Sequence, residues 1–320
     1  MKHSDAHTTR KDMGSEQVVP LTLGVLYPGE MGSVLGGLLR KQGFRTITTL
    51  AGRSKRTRKL CRHAQLEVVH SLQQLVDSAD IVLSTVHPDS APKVAEEYCA
   101  CRSGKARQQC FVDLNSIAPA TVAHIESMLA DADVDFVDGA VHGMAAQLTT
   151  FGTIYLSGAS APAVAVVLER AARTRVLGDR AGAASAFKML ISGVNKGVTA
   201  LLVEVCLAAR EVDLLEPFFA SCGEAYPGLM SILERTLPSY PQHAPRRVQE
   251  LREAAQMVAD VGLRPRMIES ARQVIGEISA AGLPSDNVRS AIQILAELHA
   301  REVLKQSQLP DSITCQRSVE

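Results

Sequence analysis

Residues 21–41 read LTLGVLYPGEMGSVLGGLLRK, an apolar run followed by a turn with proline and glycine and then a segment with helical spacing. The segment from 31 to 41 places one apolar face on the helix, formed by Val34, Leu35, Leu38 and Leu39. Gly43 follows as a typical C-terminal stop. The stretch therefore predicts a strand at 21–26, a tight turn and an amphipathic helix, which is the repeating unit of a parallel sheet.

The same alternation of short apolar runs and helical patterns continues to about residue 180. The predicted strands are 21–26, 46–50, 67–69, 81–85, 111–114, 135–138, 153–156 and 175–177. Strands that alternate with helices in this way favour an α/β fold, a Rossmann-type doubly wound and mostly parallel sheet.

Strand patterns stop after residue 180, and an all-α C-terminal domain is expected to follow. The predicted helices run about 183–211, 213–221, 226–236, 243–262, 264–282 and 286–305, with breaks at Pro217, Pro227, Pro238, Pro241 and Gly262. The expected organisation is a disordered tail at 1–18, a nucleotide-binding domain at 19–179, a helical substrate and dimerisation domain at 180–308 and a flexible tail at 309–320.

Charge and apolar content limit the classes of function. The 320 residues contain 34 basic and 34 acidic side chains, so nothing in the net charge indicates nucleic acid or an anionic membrane. Residues 1–17 lack the apolar core of a signal peptide. The most apolar stretch, 197–209, is too short to span a bilayer and contains Glu204. We therefore expect a soluble protein.

The seven cysteines are scattered and odd in number, which without a secretory signal favours free thiols in a reducing, cytoplasmic compartment. Cys99 and Cys101 have no second pair or histidine cluster at the spacing of zinc ligands. No metal is therefore expected.

The turn after the first strand has the placement of a dinucleotide-binding loop. Gly29 and Gly32 stand at the second and third glycine positions of G-x-G-x-x-G, while Tyr27 replaces the first glycine. Such a turn brings backbone close to a pyrophosphate and directs a helix N-terminus at its charge. The residues expected to line the cofactor here are Tyr27, Pro28, Gly29, Glu30 and Met31.

The end of the second strand indicates which nicotinamide cofactor is bound. Residues 50–59 read LAGRSKRTRK, and no acidic residue occurs from Thr46 until Glu67. An acid here would bind the ribose 2′-hydroxyl, whereas arginine accommodates a 2′-phosphate. Arg53 can pair with phosphate, Ser54 can donate a hydrogen bond, and Lys55 or Arg56 adds charge. The sequence therefore favours NADP(H) over NAD.

Residues 184–197, ASAFKMLISGVNKG, place a lysine in an apolar helix. A lysine there must be paired, reach the surface or be functional. Ser192 and Asn195 lie four and seven residues after Lys188, so all three project from one helix face. That face could bind a polar substrate and move a proton, although a lysine that reaches the surface from a helix end is the simpler interpretation of the stretch alone.

Four segments together resemble the β-hydroxyacid dehydrogenase superfamily, which includes 3-hydroxyisobutyrate dehydrogenase and 6-phosphogluconate dehydrogenase. They are 29–32 (GEMG), 113–119 (DLNSIAP), 138–143 (DGAVHG) with Gly152 and Thr153 following, and the lysine helix. The resemblance covers about residues 20–300. The segment 241–250 is similar to a poorly characterised branch with a C-terminal domain distantly related to that of 6-phosphogluconate dehydrogenase.

The resemblance implies that Lys188 is the general acid or base that protonates the carbonyl oxygen as hydride arrives from the nicotinamide. Ser192 stands where family members usually have asparagine, and Asn195 or Lys196 are candidates to compensate. A partly desolvated lysine can have its pKa lowered toward the working range, which suits this role.

The resemblance also implies positions for the remaining site residues. Asn115 and Ser116 would contact nicotinamide and substrate, or else cap the following helix. Val86 and His87 would form a wall of the cofactor site. The backbone amides of Gly143 and Met144 would hold a substrate carboxylate, and His142 would add a titratable donor or be an ordinary loop histidine.

The leading hypothesis is an NADP(H)-dependent oxidoreductase acting on a small polar hydroxy or carbonyl compound, with Lys188 as proton donor. An imine reductase is an alternative on the same fold, although related imine reductases usually lack this lysine. A non-catalytic NADPH sensor is a further alternative, because Tyr27 and Ser192 depart from the family pattern.

The resemblance also implies a homodimer, because family members form dimers with interlocking helical domains. The basic start of one helix, His243, Arg246 and Arg247, could bind an anionic substrate or simply be exposed.

Overall fold

The computed structural model of the chain describes residues 21–102, 108–115, 117–285 and 289–305. The tails expected at 1–18 and 309–320 lie outside these ranges. Within them, eight strands form one sheet, and a long helix leads from the sheet into a group of five further helices.

The strands lie in the spatial order β3-β2-β1-β4-β5-β6-β7-β8, and every neighbouring pair is parallel except β6 and β7. Their bounds are β1 Thr22–Leu26, β2 Arg45–Thr49, β3 Glu67–Val69, β4 Ile81–Ser84, β5 Cys110–Asp113, β6 Asp135–His142, β7 Thr153–Ser157 and β8 Arg173–Val176. The order reverses between β1 and β4, and doubly wound sheets bind ligands beside the carboxyl ends of strands at such a point. The predicted fold class is confirmed.

Six helices accompany the sheet: α1 Glu30–Lys41, α2 Lys55–Ala64, α3 Leu72–Ser78, α4 Ala91–Arg102, α5 Pro119–Asp131 and α6 Ala161–Leu168. Apolar side chains are buried on both faces of the strands. One group joins Leu23, Leu83 and Val112 to Leu35 and Leu39 of α1. The other group joins the opposite face to α3, α4 and α5.

The helical region contains α7 Ala183–Glu211, α8 Leu215–Ala225, α9 Pro227–Thr236, α10 Tyr240–Asp260, α11 Arg266–Ala280 and α12 Ala291–Ala300. The bounds of α7 agree with the predicted helix. Pro217 was expected to break a helix, but it occupies the first turn of α8, where a backbone N–H has no helical partner. Pro241 likewise lies in the first turn of α10, which therefore begins earlier than predicted.

Helix α7 is the central element of the helical region and packs against β6, β7, α8, α9, α10, α11 and α12. The apolar stretch 197–209, which was expected to be too short to cross a membrane, is part of this longer helix. Its 29 residues, with a mean hydropathy of 1.5 over the most apolar 18, pass a length and composition test. A core helix passes the same test, and Val203, Cys206 and Leu207 of α7 are buried among the surrounding helices.

Strand β6 is twice as long as predicted because it pairs along its whole second half with antiparallel β7. The pairing extends from Asp138 opposite Ser157 to His142 opposite Thr153. His142 is therefore the last residue of a strand, and the interpretation of it as a loop histidine is wrong.

Candidate active site

The turn between β1 and α1 is closely packed on one side and open on the other. A Cβ at Gly32 would lie 2.2 Å from the Thr85 hydroxyl oxygen and 2.8 Å from the Tyr27 carbonyl oxygen, so only glycine fits. A Cβ at Gly29 would meet no protein atom within 4 Å. Gly29 precedes the first turn of α1, whose backbone N–H groups form an anion-binding helix N-terminus. Pro28 before it is buried, and Glu30 and Met31 begin the helix.

Tyr27, which replaces the first glycine, contributes to the turn in two ways. Its carbonyl oxygen accepts hydrogen bonds from the Gly29 N–H at 2.7 Å and the Thr85 hydroxyl at 3.0 Å. Its ring lies under the Arg53 guanidinium, 4.0 Å from the ring centroid, which is cation–π geometry. The departure from the glycine pattern therefore places Arg53 beside the turn.

The other two residues expected at the 2′-phosphate have protein partners. Ser54 caps α2, and its hydroxyl oxygen accepts a hydrogen bond from the Thr57 N–H at 3.2 Å. Arg56 forms an exposed ion pair with Glu30 at 3.4 Å. These contacts bring the loop after β2 next to the first turn of α1.

Asn115 follows β5 and is buried beneath the cleft. Its amide oxygen accepts a hydrogen bond from the Val86 N–H at 2.6 Å, and its NH₂ group donates to the Ser84 hydroxyl and the Asp113 carboxylate. Asn115 lines the cleft, but these contacts use both amide hydrogens. It therefore holds the segment of Val86 and His87 in place. Ser116, expected to contact substrate, lies outside the described residues.

Asp113 lies directly below Asn115 and has no exposed surface. Burial raises the pKa of this carboxyl to about 7, and hydrogen bonds from Asn115 only partly oppose the effect. Nearby Asp138 raises the pKa further. The structure thus places a buried carboxyl group with a pKa near neutrality at the end of β5, two residues before Asn115.

A cleft of about 470 Å³ separates the carboxyl ends of the strands from the helical region. Its sheet side includes Met31, Val86, His87, Asn115 and Gly143, and its helical side consists of Lys188, Arg246, Gln249, Glu250 and Glu253. A second cavity of about 280 Å³ adjoins it and is lined by Ile117, Ser185, Met189 and Ser192. Lys188, Arg246, Glu250 and Glu253 line both cavities.

Lys188 occupies the wall between the two cavities. Burial lowers the pKa of its ammonium group from 10.5 to about 8, Glu250 opposes the effect, and Lys196 and Arg246 add to it. A group with this pKa is mostly protonated near neutral pH and can still release its proton readily. The position and the pKa of Lys188 both suit a general acid or base.

Glu250 on α10 is a charged residue of the site that the sequence did not predict. Its carboxylate forms ion pairs with Lys196 at 2.8 Å and with Arg246 at 3.3 Å. Burial opposes ionisation of Glu250, but the surrounding cations, Lys196 first, hold its pKa below the usual value. The spacing of Arg246 and Glu250 predicts a helical pair, but no local pattern indicates that α10 packs against α7 here.

Ser192 and Asn195, expected on one face with Lys188, have different surroundings. Ser192 lines the smaller cavity, and its hydroxyl accepts a hydrogen bond from Lys196. Asn195 lines neither cavity, and its carbonyl oxygen accepts a hydrogen bond from Thr199. Lys196 belongs to the polar group instead, because it lies one helical turn after Ser192 and pairs with Glu250 of α10.

Of the three residues at or just after the end of β6 that were expected to bind substrate, His142, Gly143 and Met144, Gly143 alone is among the lining residues of the larger cleft. Partial burial, followed by the cations of Lys188 and Arg235, lowers the pKa of His142. Gly143 lines the larger cleft with φ +111°, a conformation that favours glycine. The Met144 N–H donates to the Gln147 side-chain oxygen at 3.2 Å, and the Met144 side chain is 63% exposed.

The fold and the cleft define a nicotinamide-binding protein of the dehydrogenase type, with a doubly wound domain followed by an all-helical region. Residues 22–178 match the NAD binding domain of 6-phosphogluconate dehydrogenase, and residues 209–278 match a domain of unknown function (DUF1932). The chain is therefore similar to the NAD binding domain of 6-phosphogluconate dehydrogenase in its first half and to DUF1932 in part of its helical region. This confirms the resemblance inferred from the four segments.

Other known proteins are similar to this chain along most of its length. An uncharacterised 28.5 kDa protein of Methanothermus fervidus is 28% identical over 77% of this chain and 94% of its own. A conserved hypothetical protein from Sinorhizobium meliloti 1021 is 27% identical, with a TM-score of 0.69 over 89% of this chain and 98% of that one. Mycobacterium tuberculosis 3-hydroxyisobutyrate dehydrogenase shares the fold at 17% identity, with a TM-score of 0.68 over 88% and 99%.

Proposed function

We propose that the protein is an NADP(H)-dependent oxidoreductase that interconverts a small polar carbonyl compound and the corresponding alcohol, with Lys188 as general acid and base. The observation that carries the proposal is that Lys188 lines the same cleft as Met31, Val86 and His87, the residues expected at the cofactor. A proton donor and the reacting carbon of a cofactor must both reach the substrate.

The residues of the first turn fit a dinucleotide. The open side of Gly29 and the N-terminus of α1 suit a pyrophosphate, because the backbone can approach closely and unpaired N–H groups face the charge. Val86 and His87, held through Asn115, provide a wall for the nicotinamide. The cofactor, when bound, supplies the hydride.

In the direction of reduction, the Lys188 ammonium donates a proton to the carbonyl oxygen as the carbonyl carbon receives hydride, and the product is a hydroxyl group. Lys188 is left as a neutral amine and regains a proton from solvent. In the reverse direction, neutral Lys188 takes the hydroxyl proton. Lys188 thus exchanges the proton with the substrate oxygen inside the cleft, in place of a direct exchange between that oxygen and bulk solvent.

Specificity for NADP(H) is supported by Arg53. Its guanidinium stacks on Tyr27 beside the turn, which supports a contact with a ribose 2′-phosphate, and the loop after β2 contains no acid that would repel one. Ser54 and Arg56, with partners of their own, make smaller contributions. Carbonyl chemistry is favoured over imine chemistry because Lys188 can protonate a carbonyl oxygen.

The test combines binding and turnover. Nicotinamide fluorescence would be measured with NADPH and NADH, and NADPH oxidation would then be followed with keto acids, aldehydes, sugar acids and cyclic imines. We expect tighter binding of NADPH and turnover of a carbonyl compound. Turnover of imines alone would indicate an imine reductase, NADPH binding without any turnover would favour a sensor, and failure to bind either cofactor would refute the assignment.

We further propose a homodimer formed through α7. A groove of about 630 Å³ runs between α7, α10 and α11, with a lining that is apolar apart from Glu204 and Ser270. Leu190, Val194 and Leu201 of α7 are each more than half exposed, so a second copy that packs here would remove this apolar surface from water. In sedimentation equilibrium, Leu201→Glu should yield monomers, whereas Val166→Glu on α6 should not. A monomeric wild-type protein would contradict the proposal.

A further inference from the structure

Lys188 lines the same two cavities as Glu250, whose carboxylate forms ion pairs with two other cations. Glu250 lies where α10 crosses α7, with Lys196 of α7 on one carboxylate oxygen and Arg246 of its own helix on the other. The Lys196 side chain is only 8% exposed, while that of Glu250 is 33% exposed. The single negative charge of Glu250 therefore faces three cations at the wall of the cleft.

We propose that Glu250 is the positioning residue of the site: its carboxylate, fixed by Lys196 and Arg246 on the cavity wall that it shares with Lys188, supplies the negative charge that acts on the Lys188 ammonium. The inference rests on the proposed role of Lys188. It also assigns a function to the substituted position Ser192, whose hydroxyl helps to hold Lys196 and thereby Glu250.

The charges around Lys188 explain why one carboxylate is decisive. Lys196 on α7, Arg246 on α10 and His142 at the end of β6 are cations or can become cations, and the charge of each interacts with that of Lys188. Burial and these cations favour the neutral amine of Lys188, and Glu250 acts against both. Glu253 also lines the cavities, one helical turn beyond Glu250.

The two partners of the ion pair should have opposite effects on Lys188. Glu250→Gln removes the charge that stabilises the Lys188 ammonium, so the pKa of Lys188 should fall below its value of about 8. Lys196→Met removes a repelling cation and leaves Glu250 to interact with Lys188, so the pKa should rise. A purely structural role for the pair would not move the pKa in opposite directions.

The experiment measures Lys188 in the cofactor-free full chain. The rate of Lys188 acylation by an amine-specific reagent is followed against pH by mass spectrometry of the peptide that contains it. The midpoint should fall in Glu250→Gln and rise in Lys196→Met, each by on the order of one pH unit. Asp260→Asn, which removes the same charge about 15 Å further along α10, should leave the midpoint unchanged.

Glu250→Asp keeps the charge and should retain most of the wild-type midpoint. If Glu250→Gln does not fold, Glu250→Ala is the second neutral variant, and its midpoint should fall in the same way. An unchanged midpoint in Glu250→Gln, or shifts of the same sign in the Glu250 and Lys196 variants, would overturn the inference. The measurement needs no turnover. Absence of activity in the wild-type protein would therefore count against the proposed function, and an unmoved midpoint against the role of Glu250.

Discussion

Ser185 donates two hydrogen bonds to the carboxylate of Asp138, from its backbone N–H at 3.0 Å and from its hydroxyl at 2.6 Å. Asp138 also accepts from the Gly182 N–H and the Ser157 hydroxyl, each at 3.0 Å, and has no exposed surface. The first turn of α7 is thus attached to the middle of β6. Lys188, less than one turn later, is positioned relative to the sheet through this contact.

Asp138→Asn should therefore lower the free energy of unfolding by about 2 to 3 kcal/mol, because a buried charged acceptor is replaced by a group that cannot satisfy the same donors. Urea denaturation measures the change. Asp135→Asn, on the same strand, is a matched control: Asp135 accepts from the Ser160 hydroxyl at 2.9 Å in a partly exposed position, so its loss should be smaller. Equal effects of the two substitutions would contradict a special role for Asp138.

Arg53→Asp should weaken NADPH binding by about ten- to a hundredfold while NADH binding changes little, since a charged hydrogen bond contributes about 1.5 to 3 kcal/mol. Fluorescence titration with both cofactors measures the two affinities. Arg62→Ala removes an exposed arginine from the same region and should alter neither. Equal losses for both cofactors would exclude Arg53 as the 2′-phosphate ligand.

Lys188→Met should leave NADPH binding nearly intact while turnover falls by on the order of a hundredfold or more, the scale of lost general acid catalysis. In the wild-type protein, reduction requires the ammonium form, so its rate should decline as the pH rises through about 8. The reverse oxidation requires the amine and should accelerate over the same interval. If Lys188→Met lost cofactor binding together with turnover, the lysine would be structural.

Asp113 should make the wild-type protein less stable as the pH rises from about 4 to about 7. Its pKa is 3.8 in an ordinary setting and about 7 in the folded protein, so between these values the folded state binds more protons than the unfolded state. Stability therefore decreases with pH over this interval, by on the order of 4 kcal/mol, and is constant above it with respect to this group.

The measurement is the free energy of unfolding in urea at several pH values between 4 and 8. Asp113→Asn carries no titrating carboxyl at this position and should lack this decrease. The stability of the variant relative to the wild type should therefore increase as the pH rises from about 4 to about 7. A difference that is independent of pH would show that Asp113 remains ionised in the folded protein.

Much of this fold was evident in local patterns. Each of the eight strands was located to within a few residues, and α7 was predicted from Ala183 to Glu211, because apolar residues at intervals of two or of three and four record which face is buried. The turn at Gly29 and the position of Lys188 were also evident from the sequence. The packing of a strand and a helix does not require glycines at 29 and 32, and the packing of an apolar helix does not require a lysine.

The positions of the charged side chains of the site relative to one another could not be predicted from these local patterns. Glu250 belongs to a different helix from Lys188, and their interaction depends on how α10 packs against α7. The same applies to Arg53 over Tyr27 and to the length of β6, which follows from pairing with β7. Periodicity reports the burial of a segment's own side chains, whereas a pKa or an ion pair depends on which distant charges share a desolvated space, and that is settled by packing between elements.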